Sequence, residues 1–325
     1  MSLTSELKNP NSAVSRFVRT HLPATERASA SLREQLPLRP LTLRPQGAQR
    51  FDYRSLGRAI DRRLRVAFGS PVDSALAAGV AYAGADVAGL STRAAGQAVQ
   101  EVGHALLSEL KGQPAASGGA MTRSGGEEER LARLCFVASH FEEIFRAGLR
   151  PGNPLLQLGA DAGLDDLLGE VPSYVPGDIA RQVELAGADH ALGWVTRLPV
   201  DERICAPVFS GSRDVGGADA DYIAGGCLID CKATIRPDRV DAGAFHQLAG
   251  YLLLDYEDGY CVSRVGLYLS RQGQLIGWTA EEFLGLLGAR QSLSGLRAAF
   301  RRALAGPSVP EAVSGLVVRR RIPRR

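Results

Sequence analysis

The sequence is poor in aromatic residues, in unbalanced charge and in paired cysteines, and each shortage excludes a class of protein. Aromatic residues make up 6% of the 325 residues, and the formal net charge is only +3. A protein that wraps nucleic acid over its whole surface is usually more basic than this. The five cysteines form no C-x-x-C pair, so neither a zinc finger nor a secreted disulfide framework is indicated.

Several other patterns are missing. No apolar run approaches the roughly 20 residues that cross a bilayer, and the first residues, MSLTSELKNP, carry no secretory signal. There is no phosphate-binding Walker loop and no G-x-S-x-G nucleophile turn. The Tyr and Trp residues do not alternate with basic residues as in a platform that stacks single strands. We therefore expect a cytoplasmic, reduced protein that has no membrane partner.

Composition and local pattern predict three parts. Apolar residues make up 45% of the chain, enough for a substantial core. Residues 1–125 are predicted to be a helical N-terminal region. Its parts are an extended arm or connector to about residue 50, where short helical signals mix with Pro-broken stretches, a basic helix over 53–68, two helices within 72–111, and a Gly/Ser-rich linker or exposed loop. Residues 126–305 are predicted to form one domain, and residues 306–325 a basic tail.

Basic side chains are concentrated in one helix and in the tail. Arg54, Arg58, Arg62 and Arg65 recur at helical spacing, so they should share a face. Five of the last seven residues are arginine. Either group could bind phosphates, or form a solvated helix face and a frayed end. The candidates for nucleic-acid contact are Arg58, Arg62, Arg320 and Arg321.

The pattern changes in the second half of the chain. A long helix in EEERLARLCFVASHFEEIFRAG should end at Gly148, because glycine favours the position after a helix. From about residue 203, CAPVFS, DADYIA and GCLIDCKAT predict three strands separated by glycine pairs. RVDAGAFHQLAGYLLLDYED predicts a helix, VSRVGLYLS and LIGW predict two strands, and a helix follows. This order predicts an α/β domain with a mixed sheet flanked by helices.

Carboxylates and an ammonium are expected to meet on two adjacent strands. Because side chains alternate along a strand, Asp230 and Lys232 point to one side and Cys231 to the other. Asp219 and Asp221 share a face on the preceding strand. Like charges in such a cluster are unfavourable unless a cation joins them, and Mg²⁺ prefers one or two carboxylates. An isolated D-x-K is unspecific, and a solvated polar hairpin is the alternative.

The stretch over 216–278 resembles the PD-(D/E)XK nuclease superfamily, most closely its RecB-like branch. ADYI matches the first acid, LIDCK matches the D-x-K, and Gln247 with Tyr251 in HQLAGYLLLD matches the Q-x-x-x-Y of the helix that follows. The resemblance implies a restriction-endonuclease-like fold. It also implies a Mg²⁺-dependent phosphodiesterase, with Mn²⁺ as a substitute. DNA is favoured over RNA as substrate, and DNA repair or phage defence is the analogous role.

The resemblance also implies roles for single residues. Asp221 and Asp230 would bind the metal, the carbonyl of Cys231 would complete its shell, and Lys232 would manage the attacking water. Gln247 and Tyr251 would organise the site. Asp219 is the alternative first acid, because its spacing from Asp230 fits the family slightly better.

Three further expectations follow from the resemblance. A helix before the strands often supplies another acid, for which Glu143 or Glu142 is the candidate. No cysteine follows Cys261, so no iron–sulfur cluster is expected. Many nucleases of this fold pair, so a homodimer or a protein partner is a candidate assembly. The alternative function is a nuclease fold kept as a nucleic-acid-binding or assembly module without turnover.

Overall fold

The computed structural model describes residues 2–48 and 50–305, so the predicted basic tail with Arg320 and Arg321 lies outside the described residues. The described part contains twelve α-helices and one five-stranded sheet. The helices are α1 (Leu3–Lys8), α2 (Ala13–His21), α3 (Thr25–Gln35), α4 (Tyr53–Ala67), α5 (Ser74–Leu90), α6 (Arg93–Lys111), α7 (Gly125–Ala147), α8 (Leu164–Gly169), α9 (Tyr174–Ala186), α10 (Ala242–Leu254), α11 (Ala280–Leu286) and α12 (Leu293–Leu304). The strands are β1 (Arg203–Cys205), β2 (Tyr222–Ala224), β3 (Cys227–Lys232), β4 (Arg264–Leu269) and β5 (Gln274–Thr279).

The sheet is mixed, as the sequence predicted, and its strands lie in chain order. β1, β2 and β3 form an antiparallel meander, β4 runs parallel to β3, and β5 is antiparallel to β4. Gly225 and Gly226 turn β2 into β3 with φ of +50° and +73°, the left-handed conformations that a two-residue hairpin requires. Helix α10 makes the crossover that a parallel pair needs. The α/β class is confirmed.

The sheet separates two hydrophobic cores. Ile229 of β3 packs into a core built with α4 to α9, and its neighbour Leu228 packs into a second core built with α1 to α3 and α10 to α12. This division follows from the alternation of side chains along a strand. Cys231 packs beside the first core, as predicted, so Asp230 and Lys232 face α10. The site residues are therefore carried by a strand that is covered on both faces.

Residues 1–125 contribute to both cores rather than forming a core of their own. Helices α1, α2 and α3 replace most of the predicted extended arm, because Leu3, Phe17 and Leu32 are buried in the second core. The Pro-broken stretch over 36–45 does lack regular structure. Of the two alternatives for the Gly/Ser-rich stretch, the structure has the exposed loop, and it is anchored where Met121 is buried and its carbonyl accepts a hydrogen bond from Arg63.

Other element boundaries have local causes. The predicted strand CAPVFS shares only Cys205 with β1, which ends there because Ala206 adopts φ of +48° and Pro207 has no N–H for the ladder. Helix α7 ends at Gly148, with φ of +72°, as predicted. The predicted last helix is divided into α11 and α12 at Gly288, whose φ is +89°. No helix within residues 2–48 and 50–305 is long and apolar enough to cross a membrane.

Candidate active site

The predicted site residues meet at one end of the sheet, where β3 and β4 have their carboxyl ends. This edge of parallel strands is where open α/β sheets commonly bind ligands. Asp230 and Lys232 close β3, and Asp221 immediately precedes β2, which pairs with β3. These residues line a cavity of about 570 Å³ whose walls come from α4, α7, α10 and the first residues of α1. Sequence positions more than 150 residues apart thus border one space.

Asp230 and Lys232 form an ion pair at the floor of the cavity. Lys232 Nζ lies 2.6 Å from Asp230 Oδ2, and the Asp230 side chain is 3% exposed. That oxygen nevertheless has no well-directed hydrogen bond, so part of its polar capacity is unsatisfied. Burial raises the pKa of Asp230 despite the opposing effect of Lys232. Burial lowers the pKa of Lys232, but Asp230 and Asp221 raise it by more, so the ammonium form is favoured.

Asp221 faces Asp230 across the β2–β3 pair. Its Oδ2 accepts a hydrogen bond of 2.7 Å from the backbone N–H of Cys231, and its Oδ1 lies 3.5 Å from Arg65 Nη2. Burial, then the charges of Asp61 and Asp230, raise the pKa of Asp221 well above its usual value. Two neighbouring carboxylates therefore share a position that disfavours ionisation of both.

The geometry favours Asp221 over Asp219 as the first acid. Asp219 also borders the cavity, but its carboxylate is occupied by Arg146, 2.9 Å away. Asp221 is instead tied to the backbone of the strand that carries Asp230. Of the two candidates, Asp221 is therefore the one that lies opposite Asp230 without an arginine partner at hydrogen-bond distance.

A third carboxylate was missed from the sequence. Asp61 of α4 lines the same cavity and accepts a hydrogen bond from the Tyr222 hydroxyl. It also forms an ion pair with Arg65, whose Nε lies 2.8 Å away. Its charge raises the pKa of both Asp221 and Asp230. The sequence feature that could have identified Asp61 is that it is the only acidic residue within the arginine-rich helix α4.

Gln247 and Tyr251 extend the ion pair into a chain of hydrogen bonds. Lys232 Nζ donates to Gln247 Oε1 at 3.2 Å, and Gln247 Nε2 donates to the Tyr251 hydroxyl at 2.9 Å. Gln247 also donates to Thr4 Oγ1 at 3.1 Å, which joins α1 to the site. The single helical turn between Gln247 and Tyr251 thus orients both toward Lys232. This chain restricts where the ammonium can lie.

The two acids of α7 that were candidate metal ligands, Glu142 and Glu143, do not join the carboxylate cluster. Glu143 lies 3.6 Å from Arg58 and 3.8 Å from Arg54, and it is not among the cavity-lining residues. The proposed metal role of Glu143 is therefore corrected: the arginines of α4 already neutralise it. Glu142 reaches the cavity wall but pairs with Arg62 and Arg146, at 2.9 and 2.6 Å.

The predicted basic face of α4 is mostly internal. Arg62 is 1% exposed and pairs with Asp73 and Glu142, so its proposed contact with nucleic acid is corrected: it is buried between helices. Arg65 is equally buried. Arg58 remains at the cavity wall, with a side chain that is 20% exposed. Its Nη1 is buried without a hydrogen-bond partner, so this arginine keeps unused donor capacity beside the acids.

The carboxylates of Asp221 and Asp230 fit a hard divalent cation that takes its other ligands from water and substrate. Nowhere in the described ranges do three His, Cys, Asp or Glu side chains stand ready to hold a metal ion. Asp221 and Asp230, however, supply the one or two carboxylates that Mg²⁺ takes when water and substrate complete its shell. The burial of both acids and their repulsion, to which Asp61 adds, favour positive charge beyond that of Lys232. Neither His nor thiolate is required.

Comparison with protein-family models, with curated proteins and with solved structures gives no match.

Proposed function

We propose that the protein is a metal-dependent nuclease with a restriction-endonuclease-like fold, and that DNA is its substrate. The observation that carries the proposal is the meeting of Asp221, Asp230 and Lys232 at one cavity. The element order supports it, because the resemblance implies an acid beside one strand, the D-x-K on the next strand and the Q-x-x-x-Y on the helix that follows, as β2, β3 and α10 carry them. The preference for DNA rests on that resemblance alone.

Asp221 and Asp230 are the residues that would hold the cation, and the carbonyl of Cys231, the residue after Asp230, would complete its shell as the resemblance implies. A divalent ion bound there supplies charge neutralisation for the scissile phosphodiester and makes a water molecule more acidic. Asp61 lies near enough to raise the pKa of both acids. Its own oxygens are bonded to Tyr222 and Arg65, so Asp61 would act on the site through its charge.

Lys232 would position the attacking water. Burial lowers the pKa of Lys232, but Asp230 and Asp221 raise it by more, so the ammonium form is favoured when no cation is bound to those acids. In that form it would orient the water and stabilise negative charge that develops on the phosphate. Gln247 and Tyr251 hold it for that purpose.

Arg58 would bind the phosphate that flanks the scissile bond. It borders the cavity with a side chain that is 20% exposed, and a guanidinium suits an oxyanion acceptor. Among the described residues, its ion pair is with Glu143 at 3.6 Å, beyond normal hydrogen-bond distance. Arg58 is therefore free to exchange this weak contact for a phosphate.

A second function, nucleic-acid binding without turnover, is favoured by one observation. Lys232 already neutralises Asp230 at 2.6 Å, and no three-donor metal group exists within the described residues. A site balanced in this way can persist without a cation. It would still present Arg58 to a phosphate.

Cleavage assays separate the two functions. Single- and double-stranded DNA, and RNA of the same sequences, are incubated with the wild type in Mg²⁺, Mn²⁺ or EDTA. Asp230→Asn and Lys232→Ala should each reduce the rate by at least about 100-fold, the usual effect of losing a group that stabilises transition-state charge. Asp238→Asn and Lys111→Ala are the matched controls, because both residues are exposed and lie outside the cavity.

Metal-dependent cleavage that only the two site variants lose would support the nuclease. Absence of cleavage by the folded wild type on every substrate and with either metal would overturn it. If binding then persists and falls in Arg58→Ala, the binding-module function is the better description. Thermal unfolding of each variant shows whether loss of activity reflects loss of the fold.

A further inference from the structure

An exposed tyrosine lies at the rim of the cavity. Tyr53 is the first residue of α4, is 38% exposed, and borders the same cavity as Asp221 and Asp230. Large aromatic side chains are usually buried more fully than this, since burial of such a ring is strongly favourable. Because Tyr53 lies beside a polar cavity, its exposed ring is better explained by contact with a ligand than by incomplete packing in the core.

The Tyr53 ring is held in place from within the protein. The Arg271 guanidinium lies over the ring, 5.4 Å from its centroid, and the Phe51 ring packs against it with centroids 6.0 Å apart at 64°. Arg271 is itself immobilised, because it is completely buried and donates two hydrogen bonds to Asp178, at 2.9 and 3.0 Å. A ring supported in this way is preorganised to receive a planar partner.

We propose that Tyr53 is a stacking platform for an unpaired base, and hence that the substrate is single-stranded nucleic acid. Every nucleobase has a π-face, so stacking on an aromatic side chain is independent of sequence. Inside a duplex, both faces of a base are covered by its neighbours, and only an unstacked base can lie against the ring. This inference rests on the proposed function and goes further by naming the form of the substrate.

The other side chains of α4 place basic groups between the platform and the acids. Arg54 and Arg58 follow Tyr53, and Asp61 lies two turns beyond Tyr53 on the same cavity wall. Eight residues of helix span about 12 Å. Since one strand of a duplex rises about 3.4 Å per nucleotide, no more than about four nucleotides separate the stacked base from the scissile phosphate.

The N-terminal segment also borders the cavity. Ser2, Leu3 and Thr4 line it, and Thr4 is hydrogen-bonded to Gln247. Leu3 is buried against α10, where Gly250 leaves room for it. The cavity that holds the acids is therefore bordered by the start of α1 as well as by α4, which carries Tyr53.

The test combines a side-chain change with a base deletion. Tyr53→Ala, Tyr53→Phe and the control Tyr82→Ala are compared on a single-stranded oligonucleotide and its duplex. Tyr82 is also an exposed tyrosine, 53% exposed, but lies on α5 outside the cavity. Binding is measured by fluorescence anisotropy in EDTA, and cleavage in Mg²⁺. The oligonucleotide is also made with one abasic position, moved in turn along the four nucleotides on either side of the cut.

Tyr53→Ala should weaken single-strand binding by between about fivefold and about 150-fold, the range for loss of one stacked base. Tyr53→Phe and Tyr82→Ala should bind as the wild type does. One abasic position should weaken wild-type binding by the same factor and have no further effect on Tyr53→Ala. Thermal unfolding should be nearly unchanged, because the Arg271–Asp178 pair stays intact.

Equal binding of all variants, or equal effects of the abasic series on wild type and Tyr53→Ala, would overturn the platform. Tighter binding of the duplex than of the single strand would do so as well. The nuclease proposal fails separately: if nothing is cleaved but single-strand binding still depends on Tyr53, the platform stands without the hydrolytic activity. If cleavage occurs and ignores Tyr53, the nuclease stands without the platform.

Discussion

Lys232 Nζ lies 2.6 Å from Asp230 Oδ2 on the same face of β3, and this pair sets the charge balance of the cavity. Asp221 and Asp61 add two carboxylates for which Arg65 is the nearest other cation. Burial and the charge of Asp61 raise the pKa of both Asp221 and Asp230, and Asp230 further raises that of Asp221, so the cluster is held at some cost to stability. A cost of this kind is typical of a site that binds something positive.

The first prediction concerns metal binding without catalysis. Mg²⁺ or Mn²⁺ at 100 times its dissociation constant should stabilise the protein by about 2.7 kcal/mol. We expect the midpoint of thermal unfolding to rise by at least about 2 °C, allowing for the size of the chain. Differential scanning fluorimetry in a metal titration measures this shift.

Asp230→Asn should remove most of that shift, and Asp238→Asn should keep it, because Asp238 is 64% exposed and lies outside the cavity. Equal shifts in all three proteins would mean that the cation binds elsewhere. A metal titration with no shift at any concentration would count against the metal site as a whole.

The second prediction is that Asp221→Asn stabilises the protein in EDTA. The asparagine oxygen can still accept the hydrogen bond from the Cys231 N–H, while the repulsion with Asp61 and Asp230 is removed. We expect a gain of about 0.5–2 kcal/mol, the usual size when a functional residue is replaced by a more stable one. Urea denaturation at pH 7 measures it.

Asp219→Asn is the matched control for this variant. Asp219 has a favourable partner in Arg146 at 2.9 Å, so removal of its charge should leave stability unchanged or slightly lower. A loss of stability in Asp221→Asn as large as that of a core mutation would show that the carboxylate is held by attraction rather than repulsion.

The positions of the site residues on the strands were the part of the site that the sequence could predict. The alternation in CLIDCKAT assigns Asp230 and Lys232 to one face, and the glycine pair after β2 brings Asp221 opposite, because both rules act within a few residues. The four-residue spacing of Gln247 and Tyr251 is equally local. These contacts needed no knowledge of distant parts of the chain.

Contacts between distant segments could not be predicted in this way. The periodicity of α4 indicated which arginines share a face, but not that α5 and α7 cover Arg62 with Asp73 and Glu142. Asp61 meets Tyr222 across 161 positions of sequence. Helices α1 to α3 were missed because their few apolar residues are recognisable as a core face only against α10 and α12.

The third prediction separates two arginines that stand one turn apart on α4. Arg62→Ala leaves Asp73 and Glu142 with less compensation in the interior, so we expect a loss of about 3–5 kcal/mol in unfolding free energy. Arg58→Ala should change stability by less than about 1 kcal/mol but weaken binding to DNA and lower its salt dependence by about one phosphate contact. Urea denaturation and anisotropy titrations at several salt concentrations measure the two effects. If Arg62→Ala is stable and binds weakly, the assignment of these two roles is reversed.

The fourth prediction concerns the pH dependence of the buried network around Asp73. Burial raises the pKa of Asp73, but Arg62, Arg65 and the Leu76 N–H lower it by more, so it lies below the usual value of 3.8. A carboxyl whose pKa is lower in the folded state contributes stability that is complete above its unfolded pKa and is lost as the pH falls through its folded pKa.

Asp73→Asn keeps the helix cap on α5, because an asparagine oxygen can still accept a hydrogen bond from the Leu76 N–H, but it loses the ion pairs with Arg62 and Arg65. We therefore expect the variant to be about 3–5 kcal/mol less stable at pH 7, with a difference that shrinks once the pH falls below about 4. Urea denaturation of both proteins across this range checks the sign, and a difference that instead grew toward acid pH would show that Asp73 is protonated in the folded protein.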